Sequence, residues 1–359
     1  MKRVSVVILN WNGVDMLRKF IPSVMDNSVG EGIEICVADN ASSDGSLEML
    51  RSEFPVVRLI ELDQNYGFAE GYNRALEQVD AEYVVLLNSD VEVTPHWLEP
   101  LLDYMDTHSG TVACQPKLLS WHNKEYFEYA GASGGFIDRY GYPFCRGRIF
   151  DVVEKDCGQY DTVTEVMWVT GAALFIRLAD YREVGGLDGH FFAHMEEIDL
   201  CWRLRSRGKK LVCIPQSVVY HVGGATLKKE NPRKTVIYHK GGGTLNVESP
   251  RKTFLNFRNN LLMLYKNLPD KELEHVLFIR GILDRVAALV FYLKKDRANA
   301  RAVMQARREF EDIRYSFAAS RIENMMKSTD EIIPERTHFS IVMKYYLLGK
   351  KHFSQLKLF

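Results

Sequence analysis

Short apolar runs alternate with polar corners and amphipathic stretches through residues 1–93. Val4–Leu9 (VSVVIL), Ile33–Ala38 (IEICVA), Val56–Glu61 and Tyr83–Leu87 (YVVLL) are β-branched or aliphatic blocks. Such blocks form strands buried on both faces. Between the first two, Met16–Met25 places Leu17, Phe20, Ile21 and Val24 at helical spacing despite Pro22. Leu47–Phe54 follows Ser43 and Asp44, either of which can cap it. Glu70–Gln78 follows Asn65-Tyr66-Gly67-Phe68-Ala69. Strand, turn and helix at these spacings predict βαβ units in an α/β, mostly parallel sheet.

The polar corners fall where the strands end: Asn10-Trp11-Asn12-Gly13, Asp39–Ser46 and Asn88-Ser89-Asp90. Open parallel sheets bind ligands outside the carboxyl ends of their strands, so these corners point to one crevice. Asp39 suits a base edge or a ribose. Asn65 and Asn73 suit a ribose or the ordering of a loop. The Asp90 carboxylate suits a divalent cation, and the cation a diphosphate. Neither a Gly-x-Gly-x-x-Gly nor a P-loop is present, which excludes a dinucleotide fold and an NTPase by motif.

Further on, Trp121–Tyr160 is rich in aromatic residues and glycine. It reads as a variable loop able to stack on a ligand or as a ribbon covering the sheet, with Arg139, Arg146 and Arg148 at a diphosphate or in solvent. Trp168–Ala173 reads as a strand edge where Gly171 allows close approach of a ligand to the backbone. Gly185-Gly186-Leu187-Asp188 is a tight turn. The helix that starts near Met195 has an acidic first turn, Glu196, Glu197 and Asp199, which suits its dipole. A strand at Leu211–Ile214 precedes His221, a core histidine or a metal ligand. Residues 228–252 form a basic, glycine-rich loop, a candidate lid. From Thr253 the pattern turns helical, with amphipathic stretches Glu272–Lys294, Asp296–Ile313 and His338–Leu348. These can pack on the rest of the chain, pair in a homodimer or lie on an anionic leaflet.

Length, charge and cysteine usage refine this picture. The 359 residues suggest about two domains. A net charge of −1 gives no case for nucleic acid. Yet residues 228–359 hold 26 Lys+Arg against 14 Asp+Glu, and the remainder 20 against 33. That asymmetry suits an anionic partner such as a membrane surface. The six cysteines are scattered without a Cys-x-x-Cys pair, as expected of buried, reduced thiols in the cytosol. The start, MKRVSVVILNWNG, lacks the features of a signal peptide, and no apolar run is long enough to span a bilayer. The expected location is cytoplasmic, with peripheral contact at the inner face of the cell membrane.

Seven segments in order carry a resemblance: VVILNWNG at 6–13, VADNASSDGS at 37–46, NYGFAEGYN at 65–73, LLNSDVEV at 86–93, WVTGAALFIR at 168–177, GGLDGHFFAHMEEIDLCWRLR at 185–205 and VVYHVGGAT at 218–226. Together they resemble family 2 glycosyltransferases of the GT-A fold, in particular the bacterial rhamnosyltransferase-like branch. The resemblance implies a Rossmann-like nucleotide-diphospho-sugar transferase domain at 1–227, a loop or linker at 228–252 and a helical region at 253–359. It implies Asp90 of Asn88-Ser89-Asp90 as the Mg²⁺ or Mn²⁺ ligand, with Asn88 near the ribose or the cation and His221 as a second ligand. Asp39 would contact the base, and Asn10 and Asn12 would line the nucleotide pocket.

The family's Glu-Asp-x-Asp is Glu196-Glu197-Ile198-Asp199 here. Its second residue is the acceptor base, so Glu197 takes that role. Glu in place of Asp leaves Glu196 as an alternative. The implied activity is inverting transfer from a nucleotide-diphosphate sugar to a hydroxyl of a saccharide or lipid-linked saccharide, in cell-surface polysaccharide or O-antigen-type assembly. Two other classes stay open: a nucleotidyltransferase acting on sugar phosphates, and a non-catalytic sugar-nucleotide-binding protein.

Overall fold

The structure, a computed structural model, describes residues 1–223, 249–329 and 332–358, with the backbone of two short strands at Ile237–Tyr238 and Thr244–Leu245. The basic stretch expected to form a loop or lid at 228–252 therefore lies almost wholly outside the described residues. β1 (Lys2–Asn10) is the hub of the sheet. Its Val4, Val6, Val7 and Ile8 are buried on both faces. β2 (Ile33–Asp39) and, beyond it, β3 (Arg58–Glu61) run parallel to it on one side, and β4 (Ala81–Asn88) on the other. The connections are α1 (Val14–Asn27), α2 (Ser46–Glu53) and α3 (Gly67–Glu77), as the apolar spacing predicts. Asp44 serves two helices at once. Its Oδ2 accepts from Val14 N at 3.0 Å, and its Oδ1 from Ser46 N at 3.2 Å.

Past β4 the sheet becomes mixed. β5 (Val91–Val93), α4 (Glu99–Thr107) and β6 (Thr111–Ser120) come first. β7 (Gly135–Ile137), β8 (Pro143–Cys145), β9 (Arg148–Ile149) and β10 (Val152–Val153) make a small separate sheet. β11 (Thr164–Glu165) edges the main sheet, and β12 (Ala173–Arg177) runs antiparallel between β4 and β6. After α5 (Leu178–Glu183) and α6 (Glu196–Ser206), β13 (Lys210–His221) runs parallel to β6 and antiparallel to β5.

Two boundaries differ from the sequence reading. The strand expected at Trp168–Ala173 begins only at Ala173. Thr170 makes a turn ahead of it, donating to Ala130 O at 2.6 Å and accepting from Ala172 N at 3.1 Å. The strand expected to stop at Ile214 continues to His221 through an irregularity at 214–218. Pro215 has no N–H for the ladder, and the bulge absorbs that loss. His221 is thereby a strand end rather than a residue in a following loop.

Ser249 caps α7 (Pro250–Asn267), with Pro250 at the first helical position. α8 (Asp270–Leu293), α9 (Arg297–Ile313), α10 (Ala318–Met326) and α11 (Ile341–Tyr346) follow. This region closes over one face of the sheet. Leu261, Leu264, Phe310 and Phe353 share a core with Leu86 and Leu174. Leu17, Ile21, Trp97 and Leu101 cover the other face. The aromatic stretch supplies core as well: Phe127, Phe136 and Phe144 are buried, and Phe353 packs on Phe136, Phe144 and Tyr160. Arg146 is neither in solvent nor at a crevice. It is buried, donating to Tyr160 O at 3.0 Å and Thr162 O at 2.8 Å. All six cysteines are unpaired thiols, five of them buried and Cys157 exposed.

Candidate active site

Strand pairing brings together residues far apart in sequence. β5 follows directly on Asn88-Ser89-Asp90, and its Val91 pairs with His221 at the end of β13. Asp90 Oδ1 and His221 Nε2 consequently stand 3.1 Å apart, both nearly fully buried. Asn88 Nδ2 lies 3.4 Å from the same imidazole nitrogen. A third group, Glu128, meets the ring from behind, with Oε2 3.3 Å from Nδ1. Burial disfavours charge on His221, but Asp90 and Glu128 outweigh it and raise the imidazole pKa well above its ordinary value. Burial also pushes Asp90 upward. His221 and the backbone N–H groups of Asp90 and Gly223 overcome that and lower its pKa.

These donors fit a divalent cation. Two adjacent ligands on an octahedral ion with bonds of ~2.1 Å lie about 3 Å apart, close to the 3.1 Å between Asp90 Oδ1 and His221 Nε2. A carboxylate on the remote nitrogen is what orients a metal-ligating histidine. Among the described residues no three His, Cys, Asp or Glu form a ready cage. Two protein ligands leave the remaining positions to phosphate and water, the usual arrangement for Mg²⁺ at a nucleotide.

The first two strand ends form a hydrogen-bonded floor beside this pair. Asn10 Nδ2 donates to Asp39 Oδ1 at 2.9 Å and to Ser42 Oγ at 3.0 Å, and Asp39 Oδ2 accepts from Ser42 N at 2.8 Å. Asn12, at φ 52°, accepts from Ser43 N at 2.7 Å. Asn65 orders its loop, its Oδ1 accepting from Gly67 N at 2.9 Å and Asn40 Nδ2 at 3.0 Å. Asn73 is pinned elsewhere. It donates to Leu187 O at 2.7 Å and accepts from Leu187 N at 3.1 Å and the Tyr181 hydroxyl at 2.6 Å. The structure thus gathers Asn10, Asn12, Asp39, Asn88, Asp90 and His221 at the strand ends, and holds Asn73 against the Gly185–Asp188 turn.

The acidic turn lies against Gly171. Asn88 N donates to Ala172 O at 3.0 Å, tying the end of β4 to this turn. A Cβ on Gly171 would stand 3.5 Å from the Phe68 ring and 3.6 Å from Glu197 Cβ. An alanine is therefore tolerated there, whereas Gly171→Leu should fill the gap. We expect Gly171→Leu to raise the donor or acceptor KM at least tenfold and Gly171→Ala to leave the melting temperature unchanged. The approach to Glu197 is strained: Phe192, His194 and Met195 all have positive φ, at 62°, 73° and 73°. Such conformations persist only where their surroundings over-determine them. Asn259 Nδ2 supplies part of that, donating to the carbonyls of Phe191 and Ala193 at 2.9 Å and of His194 at 2.8 Å.

The two glutamates differ. Glu196 is 5% exposed and Glu197 is half-buried, and each keeps one buried oxygen without a hydrogen-bond partner among the described residues. Burial, reinforced by the Glu197 charge, raises the Glu196 pKa well above the usual carboxylate range. Burial pushes Glu197 up to about 7, against the pull of the backbone N–H groups of Glu197 and Ile198.

Asp199 is a different kind of acid. Fully buried, it accepts from Arg203 Nε at 2.9 Å, Lys266 Nζ at 2.7 Å and Asn267 Nδ2 at 2.8 Å. Lys266 also reaches Asp188 at 2.7 Å. Burial raises Asp188, but chiefly Lys266 overcomes this and brings its pKa to about 2. The helical region thus grips both ends of the segment that presents Glu196 and Glu197. Removing one partner of a buried ion pair costs about 3–5 kcal/mol. Lys266→Met should lose stability of that order in a denaturant titration, because it removes the lysine from Asp188 and leaves Asp199 to Arg203 and Asn267.

Residues 5–154 match the model of glycosyl transferase family 2. The chain carries a family 2 glycosyltransferase domain. Over 233 residues it is 25% identical to the N-acetylglucosaminyl-diphospho-decaprenol L-rhamnosyltransferase of Mycobacterium tuberculosis, covering 61% of this chain and 75% of that one. Over 227 residues it is 24% identical to the rhamnosyltransferase WbbL of Escherichia coli K12, covering 61% and 83%. Among solved structures, S. aureus TarS aligns with a TM-score of 0.50 at 13% identity, over 90% of this chain and 54% of that one. GalNAc-T7 with UDP, GalNAc and Mn²⁺ aligns at 0.50 and 18% identity, over 61% and 43%. These likenesses establish the GT-A-like fold of this rhamnosyltransferase-like glycosyltransferase.

Glu128 went unread in the sequence. It sits among Tyr126, Phe127 and Tyr129 in a stretch taken as aromatic. A lone carboxylate in such a run was the available signal. Its role emerges only once the Leu119–Phe127 bridge folds it back beside His221.

Proposed function

We propose that this glycosyltransferase is metal-assisted and inverting, and moves a hexosyl or rhamnosyl group from a nucleotide-diphosphate sugar to a hydroxyl of a saccharide or lipid-linked saccharide. The observation that carries the proposal is the pair Asp90 and His221 at 3.1 Å. Asp90 stands two residues beyond Asn88, whose N–H bonds the carbonyl of Ala172, while half-buried Glu197 lies against the neighbouring Gly171. Asp90 and His221 would hold a Mg²⁺ or Mn²⁺ ion. When bound, the ion supplies charge neutralisation to the departing diphosphate. Asn10, Asn12 and Asp39 form the floor for the nucleoside. Glu197 accepts the proton of the acceptor hydroxyl, and a pKa of about 7 suits a base working near neutrality. Glu196 lies deeper, and burial and the Glu197 charge disfavour a second negative charge there. Attack opposite the leaving group inverts the anomeric carbon through an oxocarbenium-like state.

Two relatives supply context for the acceptor. The mycobacterial enzyme is named for a diphospho-decaprenol acceptor, and 25% of a Myxococcus xanthus O-antigen biosynthesis protein's aligned residues are identical to this chain's over 232 positions. We read the acceptor here as of that lipid-linked kind. A melting-temperature screen of nucleotide sugars with Mn²⁺ tests the donor side, since a true donor stabilises the fold by mass action. At 100 times Kd the gain is about 2.7 kcal/mol. A screen in which every nucleotide sugar leaves the melting temperature unmoved would count against the reading.

A further inference from the structure

The outer face of α8 has no partner among the described residues, and it is apolar. Helix α8 turns Leu273, Leu277, Arg280, Gly281, Asp284 and Ala288 inward. At 3.6 residues per turn the side roughly opposite carries Phe278, Ile282, Val286, Leu289, Val290 and Leu293. Phe278 is 67% exposed, Leu289 55% and Leu293 70%. From Phe278 to Leu293 the exposed residues include one charged side chain, Arg285. A soluble surface helix is expected to be polar there. The stripe runs for roughly 22 Å at 1.5 Å per residue. A contiguous apolar patch of this kind marks an interaction site.

Charge selects the occupant. Between Arg285 and Arg308 the exposed residues include Arg285, Lys294, Lys295, Arg297, Arg301 and Arg308 and no Asp or Glu. No carboxylate among the described residues pairs with any of the six. No helix of the described residues is long and apolar enough to cross a membrane. An apolar stripe edged by cations, on a helix that does not span, is the pattern of a helix lying in the interface of an anionic bilayer. A second copy of the chain fits less well. Arg285 lies near the midpoint of the stripe, so two-fold antiparallel pairing of α8 would set it against its own copy.

We infer that α8 docks the protein on an anionic membrane surface through Phe278, Ile282, Val286, Leu289, Val290 and Leu293, with the flanking lysines and arginines at the headgroups. The inference rests on the reading of the acceptor as lipid-linked. Docking would hold the crevice at the depth where such an acceptor presents its sugar, while the donor arrives from water.

Flotation of the full chain with vesicles tests it. We expect the protein to float with phosphatidylcholine vesicles containing 30% phosphatidylglycerol, to stay at the bottom with phosphatidylcholine alone, and to be released by high salt. Val286→Asp with Leu289→Asp should reduce bound protein at least tenfold. Arg285→Glu with Lys294→Glu and Lys295→Glu should do the same without touching the apolar stripe, which keeps the test open if the first pair misfolds. Both variants should retain the melting temperature and the rate of nucleoside diphosphate release to water or to a soluble saccharide. Wild type that never floats, or variants that float like wild type, would overturn the inference. So would a dimer in solution that Val286→Asp with Leu289→Asp converts to monomer, because a second copy then occupies the face. Flotation without nucleoside diphosphate release would leave the docking face standing and remove the transferase reading instead.

Discussion

Glu197→Gln is expected to lower kcat by ~100- to 10,000-fold, the range for loss of a general base, with little change in donor affinity. The change keeps shape and removes only the ability to take a proton. Glu196→Gln should cost less than about tenfold, because burial and the neighbouring Glu197 charge both disfavour the ionised form of Glu196 that a base requires. The pair of variants therefore chooses between the two adjacent glutamates. The pH profile of wild type adds a sign. A base works deprotonated, so kcat should rise with pH through an inflection near the Glu197 value of about 7 and level off above it. In Glu197→Gln that inflection should vanish. Equal losses in both variants, or a profile unaltered by the substitution, would move the base elsewhere.

Asp90→Asn is expected to abolish metal-dependent donor binding. It removes the one carboxylate at the end of β4 that faces His221. Glu128→Gln should have the same direction and a smaller size. Partners that only orient a metal-ligating histidine typically contribute 10–100-fold in metal affinity. We expect Asp90→Asn to exceed ~100-fold and Glu128→Gln to fall within that range, both read as Mn²⁺ titrations of the donor-induced melting shift. His221→Ala should resemble Asp90→Asn. If Glu128→Gln matched wild type, the carboxylate behind the imidazole would have no part in holding it.

How much of this was legible in the sequence depends on how local the signal is. The parallel half of the sheet was readable because β1, β4 and the second half of β2 are buried on both faces and so are written as largely apolar blocks. The corners at Asn10, Asp39 and Asn88 were readable because a polar cluster after such a block marks a strand end. The resemblance then attached roles to Asp90, His221 and Glu197. What was not legible depends on long-range pairing. The bulge around Pro215 carries β13 seven residues further than its apolar run suggests. Only the β5–β13 register sets His221 beside Asp90.

The helical tail shows the same limit. Its amphipathic pattern predicted α8 and α9 near their observed bounds, overran α11 and missed α10, and nothing in it said that Lys266 would neutralise both Asp188 and Asp199, or that Asn259 would hold three carbonyls ahead of Glu196. Those contacts join residues more than 60 positions apart. Asn65 and Asn73 illustrate the converse. Asn chemistry at loop and helix starts suits a ligand or the backbone equally, and here the bonds run to Gly67 and Leu187.

The most direct test of the central claim is the product released from a nucleotide-diphosphate sugar, with Mn²⁺ and with a chelator, in wild type and Asp90→Asn. Wild type with Mn²⁺ should release nucleoside diphosphate and a sugar of inverted configuration. The chelated enzyme and Asp90→Asn should release neither. Release that persists undiminished under chelation, or exchange of pyrophosphate in place of diphosphate release, would contradict that claim.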